Sequence, residues 1–195
     1  MKRQFDMPVS LTPALSQRAR GTKSRFASSG LNKVRIIGGE WRRRWISFPA
    51  LEGLRPTPDR VRETLFNWLG QTLDGKTCLD LFAGSGALGF EALSRGAAQV
   101  TLVERDRQVL QALQENAKTL GMNRLELLNA DALQFLARDQ RRFDVIFLDP
   151  PFHKGILPLL FPLLEAHLSP DALVYAESEQ PLEPGQNWRI WRQGR

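Results

Sequence analysis

Residues 77–89 read TCLDLFAGSGALG, a short apolar strand followed by a glycine-rich turn and the start of a helix. Gly84, Gly86 and Gly89 satisfy the pattern G-x-G-x-x-G, in which glycines allow a tight turn and let the backbone approach a ligand closely. Further apolar strands (VTLVE, LELLN, FDVIFLD and ALVYAESE) alternate with helical segments. This alternation predicts an α/β protein with a Rossmann-like, mostly parallel sheet and helices on both faces. Ligands of such sheets bind beyond the carboxyl ends of the strands.

Acidic residues stand at several of these strand ends. Glu104 follows Gly84 by 20 residues, where a carboxylate can accept from ribose hydroxyls. Asp131 could accept from the exocyclic amine of adenine while the Ala132 amide donates to the ring, although Asp131 alone is better explained as a helix cap. Asp80 would repel a pyrophosphate but attract a sulfonium or an α-amino group. The residues therefore favour S-adenosylmethionine over a dinucleotide as cofactor.

A fork of two hydrogen-bond acceptors is predicted where FDVIFLD runs into Asp149-Pro150-Pro151-Phe152. The prolines fix the backbone, so the Asp149 carboxylate and the Pro150 carbonyl can each accept one N–H of a planar amine while Phe152 stacks on its ring. Holding both hydrogens off-plane directs the nitrogen lone pair at a methyl donor. No nucleophilic side chain or metal is needed, and the lone Cys78 with two histidines shows no metal-ligand spacing.

The positive charge is concentrated near the N-terminus. The net charge of the 195 residues is +6, but residues 1–62 hold 14 Lys/Arg against 4 Asp/Glu, and the remainder holds 13 against 17. We expect a basic, disordered leader over 1–32, an RNA-contacting hairpin (turning at Gly38-Gly39) and helix (capped by Thr57) over 33–70, and a catalytic domain over 71–195. The expected RNA contacts are Lys33, Arg35, Arg42, Arg43, Arg44, Arg55, Arg60, Arg62, His153 and Lys154. For Trp41 and Trp45, base stacking and core packing both remain open.

Several motifs together resemble one known family. DLFAGSGALGFEALSRGA, VERD, NADAL and VIFLDPPF are similar to motifs of class I S-adenosylmethionine-dependent amino-methyltransferases. RIIGGEWRRR and GLRPTPDRVRETLFNWL narrow the resemblance to the RsmD family of 16S rRNA (guanine-N2)-methyltransferases, over about residues 33–192. The resemblance implies methylation of a guanine N2 amine in 16S rRNA. It places cofactor positions at Asp80, Gly84, Gly86, Glu104 and Asp131, and catalytic positions at Asp149, Pro150 and Phe152.

The implied partner is 16S rRNA, free or within an assembling small subunit. We expect a cytoplasmic monomer without a metal or a membrane span, since no apolar run approaches the roughly 18 residues that a span requires. Relatives continue with a further strand beyond WRIWRQGR, so either this sequence is truncated or its sheet lacks that strand and leaves an edge exposed.

Three other activities remain open from the residues alone. A methyltransferase acting on a DNA adenine or a protein glutamine would use the same acceptor fork. An NAD-dependent oxidoreductase fits the glycine pattern but lacks a proton relay, because Tyr175 is the only tyrosine and no lysine lies four residues on. A non-catalytic RNA-binding assembly protein would keep the basic segment without needing Asp149 and Phe152.

Overall fold

The computed structural model describes residues 7–13, 30–151, 155–178 and 180–194. The strands are β1 (Met7–Pro13), β2 (Leu31–Arg35), β3 (Trp45–Pro49), β4 (Thr77–Asp80), β5 (Gln99–Glu104), β6 (Leu125–Asn129), β7 (Phe143–Leu148), β8 (Leu168–Ser178) and β9 (Trp188–Gln193). The helices are α1 (Asp59–Trp68), α2 (Ala87–Ser94), α3 (Arg107–Leu120), α4 (Ala132–Arg138) and α5 (Leu157–Leu164), with a 3₁₀ turn at Glu165–His167.

A central sheet of seven strands runs in the order β6-β5-β4-β7-β8-β1-β9, and its strand pairings are parallel. Strand β4 lies between β5 and β7, so the loops that leave β4 and β7 diverge and open a crevice between them. Helices α2 and α3 pack on one face of the sheet over one apolar cluster, and helices α4 and α5 pack on the other face over a second cluster. The predicted Rossmann-like fold is confirmed.

The hairpin of β2 and β3 packs on the face that α3 covers. Val34, Ile46 and Phe48 are buried in the same apolar cluster as the sheet residues beneath them. Asn116 of α3 accepts from the Ser47 N–H at 2.9 Å and donates to the Ser47 carbonyl at 2.7 Å. The N-terminal segment and the sheet therefore share one core.

The hairpin turn is longer than the sequence predicts, because β3 begins at Trp45 and residues 40–43 form part of the turn. Gly39 lies against the Ser94 carbonyl so closely that a Cβ would collide with it, and the Glu40 N–H donates to the same carbonyl at 2.7 Å. The Trp41 N–H donates to Ser94 Oγ at 2.9 Å. The end of α2 therefore anchors the turn and keeps residues 41–44 out of the strand.

The expectation of a disordered leader is wrong over Met7–Pro13, which form β1 between β8 and β9. The alternation of Val9 and Leu11 with Ser10 and Thr12 is a period-two strand signal, and the free edge of β8 supplies the pairing partners. The rest of the leader up to residue 29 lies outside the described residues. Strand β9 forms the sheet edge beside β1.

Candidate active site

The glycine-rich loop adopts the conformation that its sequence predicts. Gly84 and Gly86 have φ values of 49° and 80°, in the left-handed region that favours glycine. A Cβ on Gly86 would come within 2.5 Å of the Phe90 ring and 2.6 Å of Leu113, and a Cβ on Gly89 would collide with the strand beneath α2. The turn and the close seating of α2 on the sheet therefore both require glycine.

The two carboxylates predicted to hold a nucleoside already make bonds to the backbone. Glu104 accepts from the Gly84 N–H through Oε2 at 2.9 Å and from the Asp106 N–H through Oε1 at 2.8 Å. Each of these oxygens keeps a lone pair for a ligand hydroxyl. Asp131 caps α4, and its Oδ1 accepts from the amides of residues 133 and 134. This is the helix-cap role that the sequence predicted for it. Ala132 is the first residue of that helix and is buried.

Asp80 presents a buried carboxylate oxygen with no partner. Its side chain is buried, Oδ2 accepts from the Gly89 N–H at 3.1 Å, and Oδ1 has no hydrogen-bond partner among the described residues. Burial raises the pKa of Asp80 to about 7, and the nearby Asp149 adds to the increase. An unpaired buried oxygen is costly, and a positively charged group would satisfy it. The site therefore fits a cationic ligand beside the glycine loop.

Asp149, just after β7, is held by two neighbours. The Thr57 hydroxyl donates to Asp149 Oδ2 at 3.0 Å, and the carboxyl of Glu177 on β8 lies close enough to shift the pKa of Asp149. The Tyr175 hydroxyl donates to Glu177 Oε2 at 3.3 Å. Burial raises the pKa of Asp149, and burial together with repulsion from Asp149 raises the pKa of Glu177 to about 8. The two carboxyls therefore share a proton near neutral pH.

An open cleft of about 390 Å³ lies beside this carboxyl pair. Its lining includes Pro150, Pro151, Ile156, Phe161, Glu177 and Leu182. The cleft is apolar on most sides and carries carboxylate oxygen at one edge, which suits a flat aromatic ring with polar edges. Phe152, His153 and Lys154 follow Pro151 directly but lie outside the described residues, so their predicted roles stay predictions.

The predicted RNA contact of Arg62 is wrong, because its side chain is fully buried. The guanidinium donates from Nε to the Thr57 carbonyl at 3.0 Å, from Nη1 to Glu91 Oε2 at 3.2 Å and from Nη2 to the Arg35 carbonyl at 2.9 Å. Glu91 is fully buried as well, and it also accepts from Arg95 at 2.8 Å. Arg62 therefore fixes the backbone of Thr57, whose hydroxyl contacts Asp149, and its buried guanidinium, which also pairs with Asp59, is out of reach of a phosphate.

The other predicted RNA contacts described by the structure are exposed: Lys33, Arg35, Arg42, Arg43, Arg44, Arg55 and Arg60. Arg42 and Arg43 lie in the β2–β3 turn and Arg44 follows them, with Arg43 in the left-handed region at φ 71°. The two tryptophans differ from each other. Trp41 packs against the core and its indole donates to the Leu120 carbonyl at 2.9 Å, whereas the Trp45 side chain is 58% exposed. Only Trp45 therefore remains available for stacking on a base.

Sequence reasoning missed three functional positions. Thr57 was assigned as the cap of α1, but the cap residue is Pro58 and the Thr57 hydroxyl bonds Asp149 instead. Glu177 is the penultimate residue of β8, the strand next to β7, so the rule that ligands bind at strand ends could have found it. Glu91 was detectable as a lone acid in the otherwise apolar helix ALGFEALS. A buried acid in such a helix requires a partner, here Arg62.

Two classes of feature are missing from the described parts of the chain. None of the helices there is long and apolar enough to cross a membrane. Within the same ranges, no group of three or more His, Cys, Asp or Glu residues could hold a metal ion.

Comparison with known proteins gives consistent matches. The model of the family described as "Conserved hypothetical protein 95" matches residues 34–195. Ribosomal RNA small subunit methyltransferase D of Escherichia coli K12 is 48% identical over 85% of this chain and 86% of its own length. The Haemophilus influenzae protein of the same name is 47% identical over 83% of this chain and 88% of its own length.

Solved structures agree with these sequence matches. An E. coli methyltransferase superposes with a TM-score of 0.70 at 47% identity, covering 77% of this chain and 85% of that chain. A T. thermophilus 16S rRNA N2 methyltransferase, solved with AdoMet and guanosine, superposes with a TM-score of 0.59 at 26% identity. That match covers 74% of this chain and 40% of the other.

Proposed function

Because this chain belongs to the family of ribosomal RNA small subunit methyltransferase D, we propose that it transfers a methyl group from S-adenosylmethionine to the exocyclic N2 amine of a guanine in 16S rRNA. The observation that carries the proposal is the meeting of two carboxylates across one crevice. Asp80 ends β4 beside the glycine loop, and Asp149 follows the neighbouring strand β7. The two are close enough for Asp149 to raise the pKa of Asp80.

The residues around the glycine loop fit S-adenosylmethionine, which supplies an electrophilic methyl group on a positively charged sulfur when bound. Asp80 offers its unpaired oxygen to the positive charge of this ligand. Glu104 and Asp131 offer carboxylate lone pairs to the ribose and the adenine amine, and the Ala132 amide offers a donor to the adenine ring. A dinucleotide would bring its pyrophosphate near the buried Asp80, which argues against the oxidoreductase alternative.

The residues after β7 act on the target amine. Asp149 accepts one N–H and the Pro150 carbonyl accepts the other, so the nitrogen lone pair points at the methyl donor. Thr57 holds the Asp149 carboxylate in place through the bond to Oδ2. The amine loses one proton when it is methylated, and Asp149 is the acceptor nearest to it. Phe152 stacks on the ring of the extruded base.

The exposed arginines bind the phosphate backbone of the RNA. Arg35, Arg42, Arg43, Arg44, Arg55 and Arg60 bind phosphates around the target, together with His153 and Lys154, and Trp45 stacks on a neighbouring base. The proposal includes a monomer that works in the cytoplasm on rRNA, either free or within an assembling small subunit. A DNA adenine and a protein glutamine are the substrates that the test below must exclude.

The test uses radiolabelled S-adenosylmethionine with two substrates, 16S rRNA and small subunits, both from a strain that lacks the modification. We expect label in one guanine, identified by nuclease digestion as N2-methylguanine. The better of the two substrates defines the natural one. DNA and total protein are incubated in parallel, and label in either of these but not in RNA would refute the proposal.

The catalytic assignment is tested in the same assay with Asp149→Ala. We expect methyl transfer to be lost while the affinity for S-adenosylmethionine changes little, because Asp149 contacts the amine and not the cofactor. The matched control is Asp171→Asn, which removes an exposed carboxylate at a left-handed position that asparagine tolerates. Activity retained by Asp149→Ala would refute the acceptor fork.

A further inference from the structure

We propose that Glu177 selects guanine by accepting the N1–H of the base whose N2 amine is held by Asp149. This inference rests on the proposed function and adds the residue that determines which base is methylated. Glu177 is missing from the acceptor fork predicted by the sequence, and it contributes a second carboxylate to the same edge of the sheet.

The placement of Glu177 follows from strand register. Strands β7 and β8 are parallel neighbours with Leu148 opposite Ala176, so the next residues along each strand, Asp149 and Glu177, lie side by side. The two carboxyls are close enough for each to shift the pKa of the other. Glu177 and Pro150 both line the cleft described above, and Asp149 directly precedes Pro150, so a base in this cleft lies next to Glu177 and to the fork.

The donor pattern of guanine matches this pair of acceptors. Guanine presents the N1–H directly beside the N2 amine, so two adjacent donors face two adjacent carboxyls. Adenine and cytosine each place a ring nitrogen acceptor beside the exocyclic amine. An ionised carboxylate facing that lone pair would be left unpaired and repelled, so we expect the discrimination above about pH 8, where Glu177 is ionised. Glu177 therefore favours the binding of guanine and disfavours the binding of adenine and cytosine.

The surroundings of the pair favour a role in binding over a role in folding. The groups that face it are the hydroxyls of Thr57 and Tyr175. Within the described residues, neither Asp149 nor Glu177 forms an ion pair with Lys, Arg or His. Two adjoining half-buried carboxyls with no cation partner among the described residues are unfavourable in the free protein, consistent with the raised pKa of Glu177 of about 8. N–H donors on a ligand would relieve this cost.

The test replaces the mapped target guanine with 2,6-diaminopurine in an RNA assembled by ligation. This base keeps the N2 amine but carries a lone pair in place of the N1–H. At about pH 9, above the pKa of Glu177 of about 8, we expect the wild-type protein to methylate the guanine RNA roughly 30- to 100-fold faster, measured as kcat/KM, since one acceptor is left unpaired with the analogue. Glu177→Gln offers an amide N–H to the lone pair, so the preference should fall to within a few-fold of one.

Glu183→Gln is the matched control, because Glu183 lines the same cleft but is exposed. It should keep the wild-type preference. Equal loss of activity on both RNAs in Glu177→Gln, with the ratio unchanged, would overturn the inference. A wild-type ratio near one would overturn it without any variant. Absence of label from the guanine RNA with wild-type protein would overturn the proposed function and this inference together, so the two failures are distinguishable.

Discussion

Replacing Asp80 with asparagine should make the free protein more stable at pH 8 while weakening its hold on the cofactor. The pKa of Asp80 is about 7 in the folded protein, against an ordinary value of 3.8. The folded state therefore keeps this proton in the window between these two pH values, whereas the unfolded chain has released it. The free energy of unfolding falls as pH rises through this window, and the loss is complete above about pH 7.

The size of the effect follows from the size of the shift. Roughly three pKa units correspond to about 4 kcal/mol at full ionisation. Asparagine cannot ionise, so the free energy of unfolding of Asp80→Asn does not fall with pH through this group. The buried amide of the variant still lacks a hydrogen-bond partner at the position of Oδ1, which is a cost. We therefore expect the variant to gain about 1 to 4 kcal/mol over the wild type at pH 8, and little at pH 4. Cofactor affinity should fall about 10- to 100-fold, because a charge-assisted bond is lost.

Urea denaturation of both proteins at pH 4 and pH 8 measures the stability difference, and calorimetric titration with S-adenosylmethionine measures the affinity. Asp149 and Glu177 titrate in both proteins, so comparing the variant with the wild type at each pH removes their own contributions and leaves that of Asp80 together with its repulsion from Asp149. Asp171→Asn should show neither effect. A variant that is no more stable than wild type at pH 8, or that binds the cofactor equally well, would show that Asp80 is not the strained cofactor carboxylate inferred from its unpaired oxygen.

Three further perturbations test the network and the basic surface. Arg62→Met should lower the free energy of unfolding by about 3 to 5 kcal/mol, because the buried Glu91 loses one of its two arginine partners and two backbone carbonyls lose their donor. The salt slope of RNA binding should stay unchanged, and a changed slope would restore Arg62 to the RNA contacts. Thr57→Val should reduce kcat about 10-fold with cofactor affinity intact, measured by single-turnover methylation, and an unaltered kcat would show that the hydroxyl does not position Asp149. Arg42→Ala with Arg43→Ala should weaken RNA binding and lower the slope of log affinity against log salt by roughly 1.5 to 2, whereas an unchanged slope would remove the β2–β3 turn from the phosphate contacts.

The sequence predicted the sheet and its ligand edge because those features depend on local signals. Apolar strands alternate with helices over 77–178, and the glycines of the loop occupy positions where only a missing side chain fits. Asp80 and Asp149 were found for the same reason, since each directly follows or ends an apolar run. The strand at Met7–Pro13 was missed because seven residues of weak alternation sit in a segment whose composition indicates disorder.

The sequence could not show which basic side chains are exposed and which are buried in the folded protein. Arg62 and Arg60 lie two residues apart on one helix and look equally basic, yet one is enclosed and the other is exposed. Helical position alone does not show which face meets the rest of the protein when the partner is a distant acid such as Glu91, 29 residues along the chain. Glu177 was missed because its importance comes from its neighbour across the sheet and not from its own segment.

The contacts that run from Glu91 through Arg62 and Thr57 to Asp149 limit how this enzyme can be rebuilt. The N-terminal segment cannot be exchanged as an independent module, because its Thr57 hydroxyl donates to Asp149, the carboxylate proposed to act on the target amine. A chimera that borrows the segment of a relative to change the target RNA keeps this network only if α2 of the host retains an acid at the position of Glu91, because the segment's own Asp59 is only a half-exposed partner of the arginine. Engineering of new targets is therefore better confined to the β2–β3 turn, whose arginines point away from this network.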